Sequence, residues 1–193
     1  NILIEKSIKP TRADNEKLKE IKNKLLNIRE KRPKPFFDDK TQMDLNAYWL
    51  TTLIFVSEVL EKEEWKKLAL SDYNVIKHLT KDEVYHCYEN KEGVNVFLDD
   101  YAYLAQLMIN FYEITGEDTF LDNAKNLTQK TWELFYDEKN KILQKNPIKK
   151  NDLFVPPLDI NDSNIPNGNS IFLLNCKKLG VITDESNWSN MAN

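Results

Sequence analysis

The chain has 193 residues, 41% of them hydrophobic and 30% charged, with a formal net charge of -4, which is enough apolar material for one sizeable core. Its lysines are spread along amphipathic segments rather than gathered on one face, so it lacks the footprint of a phosphate-backbone binder and nucleic acid is not an expected partner. The longest mostly apolar runs, Ala47 to Val56 and Ile171 to Leu174, fall short of the ~20 residues of a bilayer span, and no membrane association is expected.

Cys87 and Cys176 are far apart and form neither a CxxC pair nor a disulfide framework, so reduced buried thiols and a cytoplasmic location are expected. The chain opens on Asn1 without a signal peptide and stops inside an incipient helix at Trp188 to Asn193. That pattern predicts a single helical domain cut from a longer protein.

Asn1 to Pro10 is a lead-in without periodicity. From Asn15 to Arg32 a narrow stripe of Leu18, Ile21, Leu25 and Ile28 among charges predicts an amphipathic surface helix, ended by KRPKP at 31–35. Thr41 to Leu60 holds too many apolar residues for one stripe and reads as a buried helix. Glu63 to Leu79, with Trp65, Leu68, Ala69, Tyr73 and Ile76 on one side, reads as a covering helix. Val84 to Tyr88 alternates weakly and reads as a short strand or extended loop.

Phe97 to Gly116 is apolar almost all the way round, with Asp99 and Asp100 at its start and Gly116 at its end. It is expected to be a helix buried on most sides. Thr119 to Tyr136 is again one-sided and covers. Asn146 to Gly168 is a long loop rich in Pro, Asn and Asp, of the kind that is functional or mobile, and Asn169 to Leu179 is a third buried helix.

Buried and covering helices therefore alternate, and short turns such as Thr115 to Glu117 make each pair an antiparallel hairpin. The predicted architecture is all-α: helical hairpins forming part of an (α/α) toroid, inner helices wrapped by outer ones. Parallel inner helices bring their N-termini to one rim, and three polar motifs fall there. They are Asp38-Asp39-Lys40 with Asp44 and Asn46, then Asp99-Asp100-Tyr101, then Pro166-Asn167-Gly168-Asn169-Ser170. Such a mouth suits an anion, a carboxylate or a hydroxyl-rich ligand.

The segments IREKRPKPFFDDK, VFLDDYAYLAQLMINFYEITG and NIPNGNS resemble the helical second half of the YyaL-like, spermatogenesis-associated proteins, in which a thioredoxin-like domain comes first. The resemblance runs from Asn1 to about Leu179. It implies a six-hairpin glycosidase-like toroid, also similar to the N-acylglucosamine epimerase group, of which this chain supplies about half. Against the family pattern, Leu45 stands for Trp, Ala47 for Gly, Thr41-Gln42 for a hydrophobic pair and Asn167 for Ser, while Asp44, Asn46, Asp162, Pro166, Gly168, Asn169 and Ser170 are kept. Without the thioredoxin-like domain or a CxxC, no redox role and no cofactor is implied.

Six-hairpin carbohydrate enzymes use carboxylates at the mouth as acid, base or nucleophile. Asp39, Asp44, Asp99 and Asp100 are the catalytic candidates. Asp38, Lys40, Asn46, Tyr101, Asp162, Asn167, Gly168, Asn169 and Ser170 are the candidates for binding a sugar-like ligand. The same residues also suit helix caps and loop-ordering bonds. His78 and His86 have no second ligand at metal spacing, and no metal is expected. The alternative function is a non-catalytic helical scaffold or protein-interaction domain that binds a protein partner, and the partners expected of the chain include a second copy of itself or the missing half of the ring.

Overall fold

The computed structural model describes residues 11–80, 83–89, 92–150 and 157–192, so the expected lead-in and 151–156 of the long loop lie outside it. The chain divides into two compact units at Asp38 and Asp39.

The first unit is built on helix α1, Arg12–Arg29. It starts earlier than the apolar stripe predicts because Thr11 and Asp14 form a reciprocal cap: the Thr11 hydroxyl accepts the Asp14 N–H at 3.2 Å and the Asp14 carboxylate accepts the Thr11 N–H at 3.0 Å.

The second unit holds α2 (Met43–Val59), α3 (Glu63–Ile76, extended by a 3-10 turn Lys77–Thr80), α4 (Leu98–Thr115), α5 (Asp118–Phe135), α6 (Gly168–Thr183) and α7 (Ser186–Met191). α2 packs on α3, α4 on α5 and α6 on α7, and α4 also packs on both α2 and α6. Each reversal is tight and contains one residue in the left-handed region: Glu61 (φ 53°), Gly116 (φ 70°) and Asp184 (φ 56°). That conformation stops a helix and turns the chain back in two or three residues. Three consecutive hairpins with α2, α4 and α6 as the inner row are the predicted alternation.

Short ribbons pin the ends of the inner helices. β1 (Thr41–Gln42), β2 (Cys87–Glu89) and β3 (Glu92–Val94) pair antiparallel in that order, with Thr41 opposite Tyr88 and Cys87 opposite Val94. β4 (Tyr136–Asp137) and β5 (Ile142–Leu143) form a second ribbon after α5. The weak alternation at 84–88 thus becomes a paired strand at its C-terminal half, whereas the second ribbon carries no period-2 signal long enough to read.

α4 is the most buried element, with Tyr103, Leu104, Leu107, Met108, Ile109 and Phe111 at 1% exposure or less. The other two inner helices need correction. α2 buries Met43, Ala47, Leu50 and Ile54 but exposes Leu45, Trp49, Phe55 and Val59, and α6 exposes Leu173, Leu174 and Val181. Helical spacing sets the two groups of α2 on opposite sides. α4 lies between two inner neighbours, while α2 and α6 each meet α4 on one side. Among the described residues, no helix is long and apolar enough to cross a membrane.

Candidate active site at the inner-helix N-termini

α4 begins after Phe97, whose extended backbone (φ -128°, ψ 163°) serves as the N-cap. Asp99 and Asp100 therefore occupy the second and third helical positions. The Asp100 side chain is wholly buried. Its Oδ2 accepts the Phe97 N–H at 2.8 Å, its Oδ1 accepts the Asp44 N–H at 3.3 Å, and the same oxygen lies 3.0 Å from His86 Nδ1. One carboxyl thus ties the starts of α2 and α4 to the residue before β2. Burial pushes its pKa up to about 6, against the pull of the Phe97 N–H and of His86.

His86 is itself locked in place. Its carbonyl accepts the Met43 N–H at 2.9 Å, and its ring meets Phe97 edge-on at 4.9 Å. Asp44 Oδ1 accepts the Leu45 N–H at 2.7 Å and stands 3.7 Å from His86 Nδ1. One ligand atom from each of Asp44, His86 and Asp100 falls within 4.8 Å of the others, an N,O,O donor set of the type that holds a divalent cation. The sequence reading missed His86 because its meeting with two distant aspartates depends on the β1–β2 pairing.

Asp99 turns the other way, toward α6. Its carboxylate accepts the Gly168 N–H; burial raises its pKa, Lys145 and that N–H oppose the rise, and Asp44 and Asp159 add to it. Gly168 has to be glycine here: a Cβ would stand 2.6 Å from Leu98 Cγ and 2.7 Å from Asp99 Oδ1.

The third motif is a cap built on itself. Asn167 is the N-cap of α6, its side-chain oxygen accepting the Asn169 and Ser170 N–H groups at 2.9 and 3.2 Å. Asp162 in turn accepts the Asn167 N–H and side-chain amide at 2.9 and 2.8 Å and bonds the Ser170 hydroxyl, which holds its carboxyl below the usual range. The Asn169 amide bridges the Leu143 backbone and the Asp159 carbonyl. These side chains order the loop.

Below this rim the inner row presents a polar face. Residues 99, 103, 106, 110 and 113 recur at helical spacing along α4. Tyr103 packs edge-on to Tyr48 of α2 at 5.3 Å and its hydroxyl donates to the Pro166 carbonyl at 2.5 Å. Gln106, Asn110 and Glu113 line a cavity of about 250 Å³ together with Thr51, Phe55 and Lys178, from all three inner helices. Lys178 Nζ spans Asn110 Oδ1 (3.3 Å) and the Glu113 carboxylate (2.9 Å).

Three sequence expectations need correction. Asp38, Asp39 and Lys40 do not open α2: they are exposed residues of the extended stretch ahead of β1, and the α2 N-cap is Gln42. Asn46 donates to the Gln42 carbonyl at 2.6 Å within its own helix start. Tyr101 is buried at 5% exposure against Phe135 and bonds the Val84 backbone, so it belongs to the core, as does the fully buried Tyr103, which faces Tyr48 and Pro166 instead.

Parallel inner helices in successive hairpins, with carboxylates at their N-terminal rim, define the fold as a six-hairpin glycosidase-like (α/α) toroid. The chain is similar to a cellobiose 2-epimerase from Bacillus thermoamylovorans (TM-score 0.64, 14% identity, 80% of this chain and 43% of that one). It is also similar to a family 76 glycoside hydrolase (mannosidase) from Bacteroides thetaiotaomicron (TM-score 0.59, 16% identity, 79% and 42%). A third similar structure is an inactive variant of the Salegentibacter family 76 α-1,6-mannanase in complex with α-1,6-mannotriose, two sequence-adjacent aspartates having been replaced by asparagine (TM-score 0.60, 13% identity, 94% and 53%). The chain spans about half the length of these proteins or less. No family model and no curated protein matches it.

Proposed function

We propose that this unit binds and processes a carbohydrate in the groove of α2, α4 and α6, with Asp99 as the general acid and Asp44 as the second carboxylate. The observation that carries the reading is the environment of Asp99: partly buried, raised in pKa, anchored by Gly168 and on the same side of α4 as Gln106, Asn110 and Glu113, which line the cavity further along the helix. Access separates the adjacent aspartates. Asp100 is wholly enclosed by its hydrogen bonds and positions Asp44 and His86, whereas Asp99 keeps an accessible edge.

In hydrolysis, Asp99 would give its proton to the leaving glycosidic oxygen as the C–O bond breaks, and water would supply the hydroxyl at the anomeric carbon, its other proton passing to Asp44. The Salegentibacter enzyme's inactive variant changes two aspartates that are neighbours in sequence, as Asp99 and Asp100 are here, which supports the reading, as do the three segments resembling the YyaL-like proteins. The free thiols Cys87 and Cys176 suit a cytoplasmic setting. The test is incubation with α-1,6-mannotriose and with cellobiose, products being separated by chromatography. Turnover that disappears in Asp99→Asn while calorimetric binding persists is expected; a folded protein that neither binds nor converts these sugars would sink the proposal.

A second reading is favoured by the apolar flanks of α2 and α6. A second copy of this chain, seated flank to flank, would bring three further hairpins to the ring. Sedimentation velocity over a hundredfold concentration range tests it, a monomer throughout being the outcome against it.

A further inference from the structure

A larger cavity, about 550 Å³, lies on the far side of α4 from the groove, between α3 with its 3-10 turn and α5. Its floor is apolar: Leu104 and Met108 of α4, Leu127 of α5 and the ring of Tyr73, Tyr73 being buried enough to raise its hydroxyl pKa. Its rim is basic, with Lys77 and His78 on one side and Lys130 on the other.

These three groups come from two elements, in a chain whose formal net charge is -4, and no acidic residue lines the cavity among those described. Lys130 also borders a neighbouring cleft that holds Glu83 and Glu133. Yet Glu133 bonds Gln129 at 2.9 Å and Glu83 bonds Tyr85 at 2.6 Å. Among the described residues, neither lysine nor His78 enters an ion pair. Lys77 and His78 also follow the C-terminus of α3, where positive charge is favoured, but that account leaves Lys130 on α5 unexplained. Asn123 and Asn126 of α5 complete the rim with amide donors.

We propose that this outer cavity is a binding site for a small amphipathic anion, a carboxylate or phosphate ester carrying an aryl or alkyl body. The body fills the floor over Leu104 and Met108, and the head group sits among Lys77, His78 and Lys130. The volume is in the range of small-ligand pockets, and an apolar floor with a few convergent polar groups is their usual construction. The site shares no residue with the sugar groove and does not rest on the function proposed for it.

The chain has two histidines, one at each site, which gives a local readout. Imidazole C–H signals, assigned with His78→Gln, are followed by NMR during titration with 4-phenylbutyrate, its neutral amide and inorganic phosphate, each to ~10 mM. Saturable movement of the His78 signal by 4-phenylbutyrate, with His86 still, is expected, and Lys77→Gln with Lys130→Gln should weaken it about tenfold. The proposal fails if His78 does not move, if His86 moves instead, or if the double variant binds equally well. It fails too if the neutral amide matches the carboxylate, which leaves an apolar cleft only, or if phosphate alone does, which leaves a bare charge patch.

Discussion

Gly168 and Asp99 fit against each other so closely that the start of α6 and the start of α4 share one small volume: the Gly168 N–H meets the Asp99 carboxylate where a Cβ would stand 2.7 Å from Oδ1. Gly168→Ala should therefore cost about 1–3 kcal/mol, because Leu98, 2% exposed, has nowhere to retreat. Urea unfolding measures the loss. A variant as stable as the parent would show that the two helix ends give way easily.

Asp100 sets a pH dependence. Its pKa is ~3.9 in an unfolded chain and about 6 here. Between those values the folded protein holds the extra proton, so this group's contribution to stability falls as pH rises from 4 to 6 and is level above that. The expected fall is on the order of 3 kcal/mol. Asp100→Asn cannot titrate, so subtracting its unfolding free energy from the parent's at pH 4, 5, 6 and 7 should expose that slope. Parallel curves would contradict the burial assigned to this carboxyl.

The Tyr103 hydroxyl is what holds the Pro166 carbonyl to α4. Tyr103→Phe keeps the ring contact with Tyr48 and leaves that carbonyl without its donor, at a cost of about 1–2 kcal/mol. Amide exchange measured by NMR should quicken at Asn167 and Gly168 and stay unchanged in α5. Uniform quickening would mean that the bond supports the whole unit instead of one loop.

Trp49, 55% exposed on the open side of α2, should be dispensable for folding. Trp49→Lys is expected to change unfolding free energy by less than about 0.5 kcal/mol and to lower any concentration-dependent association seen in sedimentation. A large loss of stability would place this side chain in the core.

Much of the helical plan is legible because burial writes a period into the chain. Phe97 to Gly116 brackets the observed α4, Leu98–Thr115, since an almost unbroken apolar surface with a glycine stop admits few other readings. The mouth is harder to read. Tyr101 and Tyr103 are two residues apart and face different directions on a helix, and only the position of α5 decides which one is enclosed by Phe135. Asp38-Asp39-Lys40 looks like a helix start by composition, yet the chain first pairs Thr41 and Gln42 with β2. His86 carries no local sign of its contacts with Asp44 and Asp100, because a cluster assembled from three separate elements has no spacing in sequence. The flanks of α2 and α6 look like core in sequence, since exposed apolar residues read the same as covered ones.

The central place of α4 bears on how the unit opens. Hairpins arranged in a row, each resting on the next, behave as a short one-dimensional array in which the ends come loose before the middle. Deuterium should enter α2 and α6 by local fraying, while the amides of α4 exchange only when both neighbours have departed. α4, α5 and the tight Gly116 turn between them then form the last cooperative block to dissolve, and the rim carboxylates lose their alignment well before the protein as a whole unfolds.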